Sequence, residues 1–362
     1  MLMLWLRKVL FYIFALIYLI LCPLIIAHML GFSVNPLTLH IVKTGLVYIS
    51  TNPPDANVYV DGRLALQKTP TILRDLAPGE HFIRIEHSDY KDWERNIPIV
   101  AKKATVLANT LLIPEKWPIK KISGRPYRSI ISAGQGTLVA ANPALKDIDI
   151  FDTIQDTGKP LFSKNSVYAN GDLVHLFHAP QSSFILLEAS IQDKREFLWI
   201  NLDENPPLIE DISNLFVDIP LNITWKNTDN ENIFAFYPTG IYRINIKDKA
   251  IFLQEADRLP ESLKRPYPYG PQEKFLINDN QDLITRPASI IHLLPKENFG
   301  GPQVYDIAKA RPSTNMYFEE RTGELFYLDY ESGDLFSVLV LPYHPVLTIP
   351  IPDALRIEMR QQ

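Results

Sequence analysis

The chain has 362 residues, with 36 Lys and Arg against 41 Asp and Glu and a formal net charge of -5. That balance gives no global attraction to a phosphate backbone and argues against nucleic acid as a partner. Hydrophobic residues at 46% and charged residues at 21% belong to folded protein rather than disorder, and a single cysteine, Cys22, excludes an intramolecular disulfide and a zinc framework of paired cysteines.

The first predicted element is a helix. From Val9 to Leu30 the sequence VLFYIFALIYLILCPLIIAHML carries no formal charge. At roughly 1.5 Å per residue this run reaches about 33 Å, enough for a bilayer core of about 30 Å. Arg7 and Lys8 precede it, and the next charge is Lys43. The positive-inside rule then predicts a single-pass anchor, residues 1–31, with its N-terminus in the cytoplasm and the body outside. A cleaved signal peptide is the competing reading, but no Ala-x-Ala pattern follows the run. A lipoprotein anchored at Cys22 is a third, disfavoured by the bulky Leu21 before it. Residues 32–44 read as a juxtamembrane linker.

Residues 45–113 predict about seven short strands. Leu46-Val47-Tyr48-Ile49-Ser50 is β-branched and aromatic, Asn57-Val58-Tyr59-Val60 alternates, and Asp61-Gly62 is a two-residue hairpin signal. Thr69-Pro70 punctuates the chain before Thr71-Ile72-Leu73, and Leu76-Ala77-Pro78-Gly79 turns it into His81-Phe82-Ile83-Arg84-Ile85. Tyr90 and Trp93 stand near the next corner, and Ile97 to Leu112 supplies the closing strands. The core is expected to include Ile83, Ile85 and Ile99.

The series Ser50-Thr51-Asn52-Pro53-Pro54-Asp55-Ala56, Val58-Tyr59-Val60-Asp61-Gly62, Thr69-Pro70, Leu76-Ala77-Pro78-Gly79 and Asp89-Tyr90 resembles the PEGA domain family. The resemblance implies an Ig-like β-sandwich that is extracytoplasmic, surface-associated and non-enzymatic. Two positions depart from the family pattern: Gln67 stands where a glycine is usual, and Asp89 replaces the glycine before Tyr90. Aspartate tolerates left-handed backbone better than most residues; Gln67 is expected to reshape the turn before Thr69.

Residues 114–126, with Pro114, Pro118, Gly124 and Pro126, read as a linker. In 127–362 one strand recurs at 137–140, 184–187, 233–236, 275–278 and 316–319. A second follows each, at 148–151, 197–200, 241–244, 283–285 and 325–328. A period of 40–50 residues with several strands per unit predicts a β-propeller of about five to six blades. The units resemble WD40-like or TolB-like blades, without a recurring Trp-Asp or Gly-His signature. Val346 to Pro350 is expected to pair near Ile119 and close the ring.

No motif assigns a catalytic, cofactor or metal residue. His175 and His178 lie three apart on a strand and so point to opposite faces. Asp147 and Asp149 are read as sharing a strand face with Asp152 nearby, but the first glycine after them is Gly158, too far for a calcium loop. Glu319 and Glu320 are adjacent and diverge. Asn222-Ile223-Thr224 is a glycosylation sequon, and Tyr267, Pro268, Tyr269 and Pro271 form an aromatic-proline stretch suited to partner binding. The expected function is that of a membrane-anchored cell-envelope protein whose partners are proteins or glycans. The alternative is a propeller hydrolase or lyase with its site assembled from loops of several blades.

Overall fold

The structure is a computed structural model, and it describes residues 2–29, 32–34, 41–134, 136–163, 166–178, 182–226, 229–254, 274–278, 280–296, 299 and 301–342. The chain divides into two compact units. The first comprises Met1–Lys116, Pro295–Gln303 and Pro342–Gln362; the second comprises Trp117–Leu294 and Val304–Leu341.

The first unit opens with helix α1, Leu2–Met29, with Pro23 inside it. Its described apolar side chains from Leu10 to Leu21 are 51–73% exposed, so no face of this stretch is covered. Among the described residues no helix is long and apolar enough to cross a membrane. A short hairpin follows, β1 (Phe32–Val34) with β2 (Ile41–Lys43), where a linker was expected.

Seven strands then form a two-sheet sandwich. They are β3 (Gly45–Asn52), β4 (Asn57–Val60), β5 (Arg63–Leu64), β6 (Thr71–Leu76), β7 (Gly79–Glu86), β8 (Trp93–Ile99) and β9 (Ala104–Leu111). One sheet runs β6-β3-β9, with β3 and β9 parallel, and the other β5-β4-β7-β8. Alternation drives the assembly. Val47 and Ile49 on β3 face Ile83 and Ile85 on β7 and Ile97 and Ile99 on β8, all nearly solvent-free. Gly45 is required where it stands, because a Cβ there would lie 2.6 Å from the Ile99 side chain and 2.7 Å from the Val100 carbonyl.

The turns follow the residues that make them. Asp61 and Gly62 take φ of 49° and 78°, the left-handed pair of a tight hairpin. Asp89 takes φ 66°, so aspartate serves where the family uses glycine. Gln67 lies outside the left-handed region, and the turn before Thr69 is held instead by the Thr69 amide on the Ala56 carbonyl at 2.9 Å. The sandwich also draws on a distant segment: Phe299 packs on its core, and Arg95 Nε donates to the Phe299 carbonyl at 3.0 Å. Periodicity gave no sign of this contact, since Phe299 falls within 127–362, the span assigned to the repeat domain.

The second unit contains five four-stranded antiparallel sheets among the described residues, arranged in a propeller-like pattern. The first is β11 (Ser129–Ser132), β12 (Thr137–Ala141), β13 (Asp149–Asp152) and β14 (Thr157–Pro160). The second is β15 (Asp172–His178), β16 (Phe184–Ile191), β17 (Lys194–Asn201) and β18 (Leu208–Asp211). The third is β19 (Asn222–Lys226), β20 (Asp229–Tyr237), β21 (Gly240–Asn245) and β22 (Ala250–Gln254). The fourth is β23 (Lys274–Leu276), β24 (Leu283–Thr285), β25 (Ile290–Leu294) and β26 (Tyr305–Lys309). The fifth joins β27 (Tyr317–Glu319), β28 (Glu324–Leu328) and β29 (Asp334–Leu339) to β10 (Ile119–Pro126), the first strand of the unit.

Three features differ from expectation. The segment 119–126 is a strand rather than a linker. Its paired partner is β29, with Ile119 opposite Val338 and Lys121 opposite Phe336. Among the described residues the two ends of the unit therefore share the fifth sheet, while residues 346–350 lie outside the described residues. The repeat also slips in phase. In the first three sheets the two recurring segments are the second and third strands, and in the last two they are the first and second. Adjacent antiparallel strands carry the same alternation, so sequence alone does not fix which pair is matched.

Deleting Ile119–Pro126 leaves β29 as a bare edge and is predicted to lower the melting temperature and promote aggregation. Thermal melts with size exclusion check both outcomes.

Candidate functional site

The chemistry-bearing groups of the second unit gather where neighbouring sheets meet. Sheets one and two pack through Ile131, Val139 and Ile150 against Ile185, Leu187 and Leu198. The opposite face of sheet one, with Ile130, Leu138 and Phe151, packs on Phe326, Leu328 and Leu335 of sheet five. Three carboxylates of the unit are each more than nine-tenths buried: Asp149 and Glu319, between the first and fifth sheets, and Glu188, within the second. A buried charge is tolerable only with donors on its oxygens, and each of the three has them.

Asp149 opens β13 and accepts the Tyr127 hydroxyl at 2.5 Å and Arg125 Nη1 at 3.2 Å. Burial first, then this bond to a carboxylate, pushes the Tyr127 phenol well above its ordinary pKa. Glu188 stands mid-strand in β16. Its Oε2 lies 2.7 Å from His175 Nδ1 on the adjacent strand, and its Oε1 is ion-paired with Arg195. Glu319 joins two sheets directly, since its Oε2 accepts Thr153 Oγ1 of the first at 3.2 Å and the Tyr317 hydroxyl of its own at 2.9 Å. Burial alone would raise its pKa, but the Tyr317 hydroxyl and the Arg321 amide and guanidinium hold it below the usual value. Tyr317 is pushed up to about 12, by burial and by Glu319. Nearby, burial and the Asp156 charge raise the pKa of Glu324, while Asp156 pairs with Lys120 of β10.

The residues singled out in the sequence are dispersed. His175 opposes Glu188 and is largely exposed, whereas burial pushes His178 toward its neutral form. Asp147 does not share a strand with Asp149; it ends a 3-10 turn, Leu145–Asp147. Asp152 Oδ1 accepts the Ile154 and Gln155 amides at 2.8 and 3.0 Å, and Gly158 sits against the Phe151 ring. Glu320 is exposed beside buried Glu319. Asn222 opens β19, half-buried, with its Oδ1 on the Ile223 amide. Tyr267, Pro268, Tyr269 and Pro271 lie outside the described residues. Among the described residues no three His, Cys, Asp or Glu side chains are placed to hold a metal ion.

Sequence reasoning missed Glu188, Tyr127, Arg195 and Thr153. A signal existed for Glu188: one acid within Phe184-Ile185-Leu186-Leu187-Glu188-Ala189, an otherwise apolar run. Its partners come from other strands and carry no local mark. Chemically, Asp149 and Glu319 pin the first and fifth sheets together, and Glu188 pins three strands of the second.

Glu319→Gln is predicted to destabilise the second unit by about 1–3 kcal/mol at pH 7, the usual cost of a disrupted buried hydrogen-bond set. With its pKa depressed, the native carboxylate stabilises above the ordinary Glu value of 4.5, and that contribution is lost as pH falls through the folded-state value. Denaturation of both proteins from pH 7 to pH 3 should show the difference shrinking with acid.

Comparison with known proteins adds the following. Residues 44–113 match the PEGA domain family. None of the curated proteins matches the chain. Among solved structures, the chain is similar to the major allergen Mala s 1 of Malassezia sympodialis, with 9% identity over 64% of this chain and 99% of that one, at a TM-score of 0.34. It is similar to the β-propeller domain of Cps50 (Swd1) from Myceliophteria thermophila, with 8% identity over 72% and 93% and a TM-score of 0.27. An auxiliary nutrient binding protein from Bacteroides ovatus gives 9% identity over 82% and 97%, at 0.26. At these scores the likenesses carry no argument about activity. The chain is nearly all-β, with a PEGA domain at 44–113 and a propeller-like unit after it.

Proposed function

We propose that this is a membrane-anchored cell-envelope protein whose N-terminal helix holds the two β units outside the cytoplasm, and whose propeller-like unit binds a protein or glycan without catalysing a reaction. The observation that carries the proposal is the uncharged apolar run Val9–Leu30 of the sequence, within which the described apolar side chains from Leu10 to Leu21 are exposed around the whole circumference of α1. A helix that is apolar on every face is unstable in water and suits lipid. Arg7 and Lys8 at its start give the orientation. The PEGA match at 44–113 supports an extracytoplasmic setting. For the binding role, support comes from how the buried acids are used: Asp149 and Glu319 are engaged between the first and fifth sheets and Glu188 between strands of the second, which leaves the exposed rims of the unit for recognition.

Alkaline phosphatase fused after Gln362 is predicted to be active, and intact-mass analysis of the membrane fraction to find α1 still attached. An inactive fusion together with an active cytoplasmic reporter at the same position reverses the topology. A mature chain beginning near residue 28 replaces the anchor with a cleaved signal.

A further inference from the structure

One histidine of the sandwich is held by both of its ring nitrogens. On β7, His81 alternates with Ile83 and Ile85 and stands opposite Ile97, so it lies at the rim of the core, with its side chain 15% exposed. Its Nδ1 is 2.7 Å from Asp61 Oδ2, in the turn between β4 and β5. Its Nε2 is 2.7 Å from the Ala77 carbonyl oxygen, in the turn between β6 and β7. Both partners are acceptors only. A neutral imidazole has a single N–H and leaves one of these contacts without a proton, whereas an imidazolium donates to both. Asp61 is itself fixed, its Oδ1 accepting the Phe82 amide at 3.0 Å and its own amide donating to the Phe82 carbonyl at 2.9 Å.

We propose that His81 is a protonation-controlled clamp: its imidazolium ties the Asp61-Gly62 hairpin to the Ala77–Gly79 turn, and loss of the proton releases one of the two. The charges acting on the ring are the carboxylates of Asp61 and Glu80, while Arg63 acts on Asp61. Burial pulls the ring toward neutrality, but the Ala77 carbonyl and the Asp61 carboxylate outweigh it and hold its pKa above the ordinary 6.5. Burial likewise raises Asp61, and His81, the Phe82 amide and Arg63 hold it below its ordinary value. The signs define a window. The raised His81 contributes fully below pH 6.5 and is lost as pH rises through its folded value. The depressed Asp61 contributes above its ordinary 3.8 and is lost as pH falls through its folded value. The clamp is therefore closed between those two folded values and opens on the alkaline side by loss of the histidine proton. The hairpin it controls carries Leu64 and Leu66, both exposed, so protonation sets how rigidly this apolar tip is presented.

The test uses the full chain in lipid nanodiscs, with ring-labelled histidine for NMR and amide hydrogen exchange read by mass spectrometry over residues 57–66 and 76–84. His81, assigned by comparison with His81→Gln, is expected to titrate above 6.5. Exchange in the hairpin peptide, corrected for its intrinsic pH trend, should rise about tenfold across that titration, the effect of one lost hydrogen bond to a charged group. In His81→Gln this extra pH dependence should vanish, and in Asp61→Asn the His81 titration should move to lower pH. Titration of His81 at or below 6.5, or the same hairpin exchange profile in His81→Gln, overturns the clamp. If His81→Gln does not fold, the His81 shift in Asp61→Asn decides, and no shift there overturns it.

Discussion

A four-stranded sheet that is apolar on both faces cannot be the outer layer of anything. In the second unit, odd and even residues of the same strand enter different cores. Ile150 of β13 packs toward the second sheet and Phe151 toward the fifth; Ile185 of β16 packs toward the first sheet and Leu186 toward the third. Burying a large aliphatic side chain stabilises by roughly 1.5–3 kcal/mol, and a sheet left bare on one side forfeits that for every second residue. Each sheet therefore requires a neighbour on both sides. A linear stack always leaves two bare faces, whereas a radial arrangement leaves none.

That requirement gives β10 its importance. It comes first in the unit yet completes the last sheet, pairing with a strand about two hundred residues further along. Polar contacts reinforce the same seam. Lys120 and Lys121 of β10 pair with Asp156 and Asp334, and Arg311 Nη1 donates to the Tyr127 carbonyl at 3.1 Å. Tyr127 and Glu319 add buried bonds between the first and fifth sheets. An exposed ion pair contributes little on its own; the buried hydroxyl–carboxylate bonds matter more, because separating them strands an acid in an apolar seam.

The sandwich was legible almost strand by strand, because its signals are local. Asp61-Gly62, Asp89 and the Ile83/Ile85 alternation each act within a few residues, and the turns adopt the backbone those residues favour. The repeat was legible as a repeat, but its phase and its closure were not. Hairpin strands are alike in pattern, and the pairing of β10 with β29 is a long-range event that proline and glycine around 114–126 disguised as a linker. The candidate site was the least legible part. Glu188 left a trace as an acid in an apolar run, but His175 and Arg195 reach it only once strands are in register. The Asp147–Asp149 pair failed for a local reason, since a 3-10 turn at Leu145–Asp147 precedes the strand.

The claim on which this account rests is that β10 closes the ring, and a crosslink tests it most directly. Lys120 and Ser337 are register partners. Directly opposed antiparallel residues lie about 4.5–5.5 Å apart at Cα, within the range a disulfide spans. In a Cys22→Ser background, the pair Lys120→Cys and Ser337→Cys should form a bond within one chain on mild oxidation and raise the melting temperature. A folded double variant that forms no such bond, or that crosslinks only between chains, would contradict closure by β10.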